Sequence, residues 1–206
     1  MFGRARTEPE RDSRRDPQRD PLGVDVDRAA VAAAKRHPQR FAALYRKYLP
    51  QVYSFAFYEL GNHHDAEDLT ERVFLSALSA LPAFEERSAP GSTFRVWLFR
   101  IARNAISNQR RTLARRREAP AALAEHLPGE LGADGVALRH EERAEAWAAV
   151  ARLPADRRRV VILRYVEEMS TAEIAAVMER SEGAIRVLLH RALRSVARDL
   201  GRGNAS

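Results

Sequence analysis

Residues 170–193 read STAEIAAVMERSEGAIRVLLHRAL, two amphipathic segments separated by Glu179, Arg180 and Ser181. Ser170 followed three positions on by Glu173 is a capping-box pattern, in which the hydroxyl accepts a backbone N–H of the first turn and the carboxylate returns the bond. This predicts a helix that begins there, buries Ile174, Val177 and Met178, and ends near Glu179. Ser181 is placed to cap a second helix. On that helix Ile185, Leu188, Leu189, Ala192, Leu193 and Val196 share one apolar stripe, while Gly183, Arg186, Val187, His190, Arg191 and Arg194 stay outside. Short helix, tight turn and a second helix with a basic outer face match helix-turn-helix geometry, in which the second helix enters the major groove of DNA. A plain helical hairpin has the same buried pattern. The rest of the chain decides between them.

At 206 residues the chain suits one ordinary domain or two small ones. Aromatics are scarce and alanine, leucine and arginine abundant, so the expected fold is all-α. No run of eighteen apolar residues predicts a membrane segment, and the N-terminus MFGRARTEPERDSRRD has no apolar core for a signal peptide. The expected location is the cytoplasm. Without cysteine there is no disulfide, thiolate metal site or thiol nucleophile. The net charge of +7 points to a polyanionic partner. Only Lys35 and Lys47 are lysines, and arginine- and alanine-rich composition also follows from GC-rich coding, so the position of the charges says more than their sum.

Residues 1–27 mix charges with prolines and lack apolar periodicity, the composition of a disordered tail. Helical spacing then predicts two or three long helices up to Leu81, with a break at Gly61 and Asn62. Pro82 opens a loop, PAFEERSAPGST, at whose end Ser92 or Thr93 can cap a further helix. That helix, FRVWLFRIARNAISNQRR, puts Phe94, Trp97, Leu98, Ile101, Ala102 and Ala105 on one stripe, with Arg100, Arg103, Ser107, Arg110 and Arg111 opposite. Eight arginines and no acid lie between Phe94 and Arg117, so nothing within the helix neutralises its basic face. Trp97 falls in the stripe and reads as core, not as a platform for a base. Residues 115–137 carry prolines, glycines and acids and read as a flexible linker; helices resume at about Leu138. Residues 28–114 and 138–200 are thus two small helical domains, followed by a tail at 201–206.

DAEDLTERVFLSAL, FRVWLFRIARNAISNQRR and LPADRRRVVILRYVEEMSTAEIAAVMERSEGAIRVLLHRAL stand in the order and spacing of the extracytoplasmic-function group of sigma-70 factors. The chain resembles a bacterial sigma factor over roughly residues 28–200. The resemblance implies a first, sigma-2-like domain that binds core RNA polymerase and recognises and melts the minus-ten promoter element. It implies a second, sigma-4-like domain that recognises the minus-thirty-five element. It further implies an alternative sigma factor in transcription initiation, with promoter DNA and core polymerase as partners, an anti-sigma factor as a third, no cofactor and no metal.

Carried over residue by residue, the resemblance gives the acidic helix, with Asp65, Glu67, Asp68, Glu71 and the apolar Leu69, the role of docking on the clamp helices of the polymerase. Acids within two helical turns also suit a basic partner surface on electrostatic grounds. Family members have glutamine then glutamate where this chain has Glu71 and Arg72. The loop FEERSAPGST matches the one that captures a flipped base, and the arginine helix matches the one that holds the opened strand. Its assigned residues are Arg100, Arg103, Asn104, Asn108, Arg110 and Arg111, supplying the cations and amides that a single strand needs. On the recognition helix the family pattern SEGTVKSRLHRA is here SEGAIRVLLHRA. Arg186, Val187, His190, Arg191 and Arg194 remain as contacts, Val187 toward a thymine methyl.

Two other functions compete. His63, His64 and Asp65 suggest a metal-dependent phosphohydrolase, but three successive residues of one helix cannot all face one ion, so the chain reads as no enzyme. A stand-alone helix-turn-helix transcriptional regulator explains the second domain and leaves the acidic and arginine helices of the first without a use.

Overall fold

The computed structural model describes residues 27–86, 93–116 and 137–203; the N-terminal tail, most of the loop FEERSAPGST and most of the linker lie outside these. Among the described residues there are eight α-helices and no strand. The helices are α1 (Arg28–Arg36), α2 (Phe41–Leu60), α3 (His63–Ala80), α4 (Phe94–Arg116), α5 (Ala137–Ala151), α6 (Ala155–Tyr165), α7 (Thr171–Met178) and α8 (Glu182–Gly203).

Local chemistry sets the helix ends. α2 stops at Gly61, whose φ of 85° is open to glycine at little cost and reverses the chain into α3. Asn62 then caps α3 by accepting from the Asp65 N–H at 2.7 Å. Thr93 caps α4 at the Val96 N–H, and Pro154 sits at the N-cap of α6. Both halves of the Ser170–Glu173 capping box form at α7, and the Ser181 hydroxyl accepts from the Ala184 N–H at the start of α8. α8 runs to Gly203, so residues 201–203 belong to the helix and not to the tail expected there. A glycine lowers helix propensity by only about 1 kcal/mol relative to alanine, too little for Gly201 to end a helix already twenty residues long.

Helices α1–α4 pack around Leu44, Tyr48, Val52, Phe55, Leu69, Val73, Phe94, Leu98, Phe99 and Ile106, all essentially without solvent contact. α8 carries α5, α6 and α7 around Val160, Ile162, Leu163, Ile174, Val177 and Ile185. The two groups of helices meet along α4 against α7 and α2 against α6, and their cores are continuous. This contact changes the reading of α4. Arg95, Val96, Phe99 and Ile106 are buried along with Phe94, Leu98 and Ala102 of the expected stripe, whereas Trp97, Ile101 and Ala105 are half-buried; α7 packs on a second side of the helix.

Candidate nucleic-acid and polymerase interfaces

On α3 the acidic cluster divides. Glu67, Asp68 and Glu71 are exposed, whereas Asp65 is half-buried and held by the Asn62 and Gln109 side-chain amides at 2.6 and 3.1 Å. Leu69 is fully buried in the core, which corrects its expected place on a docking surface: the apolar side of the α3 repeat is the inward one. The same outward face continues instead into Leu75, 59% exposed, and Leu78, 37% exposed. Position explains this, since Asp68, Glu71, Leu75 and Leu78 recur at intervals of three and four. Leu78 has the spacing of a core residue in sequence, and Leu75 lies one position off the buried set, so periodicity alone does not single them out.

His63 does not open a metal site. Its Nδ1 lies 2.5 Å from the Tyr53 hydroxyl and its ring stacks on Phe57 with centroids 4.6 Å apart, while His64 faces solvent beside Asp68. Among the described residues no group of three His, Asp or Glu side chains is placed to hold a metal. No described helix is long and apolar enough to cross a membrane.

α4 presents Arg100, Asn104, Asn108 and Arg111 at the surface and holds Arg103 and Arg110 partly buried. Trp97 packs between Phe84 and Phe94, as its stripe requires. No acid of α4 itself neutralises the basic face, as expected, but three of its arginines pair with acids from elsewhere in this conformation. Arg100 and Arg103 donate to the two carboxylate oxygens of Glu179, at 2.9 and 2.8 Å. Arg110 lies 2.7 Å from Glu59 and also donates to the Glu59 carbonyl. The acids come from α2 and from the turn after α7, distant in sequence, and so invisible to any count along α4.

Glu59 is the centre of a buried cluster. Its side chain has no solvent exposure; Oε1 accepts from Arg159 at 2.9 Å, and Oε2 faces Arg110 and, at 3.9 Å, Arg158. Three guanidiniums around one carboxylate leave an excess of positive charge, and burial lowers the affinity of Arg110 and Arg158 for their protons, against the pull of Glu59. A second cluster lies nearby. Arg95, at the start of α4, donates to the Glu167 carbonyl and sits 3.5 Å from Glu173 of α7.

The Glu167 carboxyl, in the same cluster, is pushed up to about 8 by burial, partly opposed by the charge of Arg95. A carboxyl raised in the folded state contributes stability in full below its ordinary range, and the contribution is lost as pH rises toward the folded value. Glu179 has the opposite sense. Its hydrogen bonds from Arg103, then Arg100, hold it low, so it stays ionised throughout the neutral range. Stability is therefore expected to fall between pH 6 and 8 by up to about 1.4 kcal/mol per unit. Urea unfolding midpoints across that range check this; a flat profile, or one that Glu167→Gln does not flatten, contradicts it.

α8 brings its expected contacts together. Arg186, Val187, His190, Arg191 and Arg194 are all exposed on one side of the helix. Among the described residues Arg186 pairs with its own-helix neighbour Glu182, at 2.8 Å and in solvent, a pair that yields readily to a stronger partner. Val187 is 49% exposed, an apolar tip within a basic surface. Leu188 and Leu189 are half-buried, and Leu193, expected in the stripe, is 41% exposed because it lies at the edge of the stripe, further round the helix than the buried Ile185 and Ala192.

Comparison with known proteins agrees with this arrangement. Residues 44–116 match sigma-70 region 2 and residues 143–196 match sigma-70 region 4. The chain is 33% identical over 174 residues to the ECF RNA polymerase sigma factor BldN of Streptomyces coelicolor, covering 84% of this chain and 63% of that protein. It is 30% identical to ECF sigma factor SigX of Bacillus subtilis, covering 76% of this chain and 81% of that one. For SigC of Mycobacterium tuberculosis the identity is 32%, with 81% and 86% covered. Among solved structures, CnrH in complex with the cytosolic domain of CnrY aligns with a TM-score of 0.63 at 25% identity, over 86% of this chain and 99% of that one. The sigma factor RpoE of Bartonella quintana, in complex with the anti-sigma factor NepR, aligns with a TM-score of 0.62 at 25% identity, over 78% and 96%. Two helical units that match regions 2 and 4 in order, with relatives that run nearly the whole length of the described fold, place this chain in the extracytoplasmic-function group of the sigma-70 family of RNA polymerase sigma factors.

Proposed function

We propose that the chain works in the cytoplasm as a non-enzymatic alternative sigma factor, with residues 28–114 binding core polymerase and the minus-ten element and residues 138–200 reading the minus-thirty-five element. The outward face of α3 carries the reading: Glu67, Asp68 and Glu71 followed by Leu75 and Leu78 form an exposed acidic and apolar strip on the side away from the core. A stand-alone regulator has the same α8 and no use for such a strip. Charge on the strip steers a basic partner, and the two leucines add apolar area for it to cover.

In this reading Arg100, Arg103, Asn104, Asn108, Arg110 and Arg111 hold the opened strand by neutralising phosphates and bonding bases. The similar sigma factor RpoE, solved in complex with the anti-sigma factor NepR, supports a partner of that kind here. The test is transcription in vitro with core polymerase on genomic fragments. Discrete, chain-dependent start sites are expected. Their absence, together with tight sequence-specific binding by the chain alone, favours the stand-alone regulator instead.

The geometry of α8 gives a finer expectation. Arg186 lies in the first turns, which enter a groove most deeply, and Arg194 two turns later at the height of the phosphates. Arg186→Ala should cost about 1–3 kcal/mol and relax preference at one base pair, whereas Arg194→Ala should weaken all sequences alike. Selection from random DNA with core polymerase present checks it. Unchanged preference in Arg186→Ala removes that residue from base reading.

A further inference from the structure

Glu179 stands where a helix-turn-helix turn calls for glycine. Its φ is 55°, a left-handed conformation that an L-residue adopts only at some strain, and the turn closes with the Glu179 N–H bonded to the Ala175 carbonyl. The side chain kept at this strained position is not idle. It reaches out of its own domain and takes one guanidinium on each carboxylate oxygen, Arg100 and Arg103 of α4. These are two of the arginines assigned to the opened DNA strand. A carboxylate held between two guanidiniums has the charge and the acceptor pattern of a backbone phosphate.

The remaining contacts between the two groups of helices join a continuous apolar core to a set of ion pairs. Glu59 joins Arg110 of α4 to Arg158 and Arg159 of α6, and Arg95 of α4 is received by the Glu167 carbonyl and by Glu173. Tyr58 against Trp147, with centroids 4.4 Å apart, is an aromatic contribution to the same seam. Salt weakens the exposed ion pairs of such a seam, here those of Glu179 with Arg100 and Arg103.

We propose that this conformation is a self-masked state: the second domain closes over the strand-binding face of the first, with the Glu179 carboxylate occupying the place of a DNA phosphate on Arg100 and Arg103. The proposal rests on the strand-binding role given to α4 above. Opening exchanges Glu179 for phosphate on the same two arginines, so masking and DNA binding exclude one another. The apparent affinity for a strand is reduced by the fraction of closed molecules.

Two of the contacts across the seam are tested by Glu179→Gly and Arg159→Met in the full chain. The glycine relieves the left-handed strain, so the second domain keeps or gains stability while both ion pairs vanish. Methionine keeps the apolar bulk of Arg159 and leaves Glu59 with Arg110. The chain has no cysteine, so a dye pair can be attached at Ser76→Cys and Arg198→Cys, both exposed. Lower energy transfer is expected in each variant, lowest in the double variant, and in the unsubstituted chain on going from about 0.05 to 0.5 M salt. Affinity for a mixed-sequence single-stranded oligonucleotide at fixed low salt should rise about tenfold in the double variant. Unchanged energy transfer in the double variant overturns the closed state. Lower transfer with unchanged oligonucleotide affinity overturns the masking. Core polymerase binding, measured in parallel, reports on the functional reading separately: a chain that opens as described yet never binds core polymerase leaves the latch standing and removes the sigma-factor role.

Discussion

Replacing Glu59 with alanine is expected to destabilise the protein by about 3–5 kcal/mol, because it leaves three guanidiniums gathered around a vacated, water-poor position. The three are 25%, 17% and 8% exposed at their side chains, so solvent replaces the lost carboxylate only in part. Removing one partner of a buried ionic cluster is harsher than removing the whole cluster, since attraction is lost while the desolvation of the remaining charges persists. Glu59→Gln keeps an acceptor for Arg159 and should fall between the native chain and alanine. Urea unfolding of both variants decides it. A loss below about 1 kcal/mol for alanine would mean that the arginines turn to solvent and that the cluster is not a structural element.

Glu59 also marks where the sequence stops being legible. It closes the apolar run FAFYEL at the end of α2, a position where a lone acid reads as a surface residue, and Arg159 sits in DRRRVVIL with nothing to distinguish it from its neighbours. Neither is paired within reach along the chain. Their partnership is a hundred residues apart and depends on how two helical units meet, which periodicity does not encode. Within each unit the opposite holds. The capping box at Ser170, the stop at Gly61 and the basic outer face of α8 are all local events, and each follows from spacing and side-chain chemistry. The candidate sites divide along the same line. The α8 residues are exposed together as the wheel requires, whereas α4, whose own sequence holds no acid, is half covered by acids from elsewhere. The family motif points Leu69 toward a partner, its own helical phase points it inward, and the phase decides.

Reversing Asp68 and Glu71 to lysine is expected to lower affinity for core polymerase at least a hundredfold, about 3 kcal/mol, while leaving the fold intact. Both side chains are exposed on α3, and substitutions at such positions usually shift stability by no more than about 0.5 kcal/mol each. Asp65, by contrast, accepts from Asn62 and Gln109 and supports the start of α3, so its reversal would mix a folding effect with a binding one. The reversal acts twice: two attractions to a basic partner are lost, and two like charges are pressed against it. Leu75→Ala, four residues along the same face, tests the apolar part of the strip without touching its charge. Its effect should appear mainly in dissociation, whereas the charge reversals should also slow association and reduce its dependence on salt. Stopped-flow binding to core polymerase at two salt concentrations separates these contributions. Wild-type kinetics in the Asp68→Lys, Glu71→Lys variant, with helix content unchanged, would take α3 out of the polymerase interface and leave the exposed leucines to be explained by another partner.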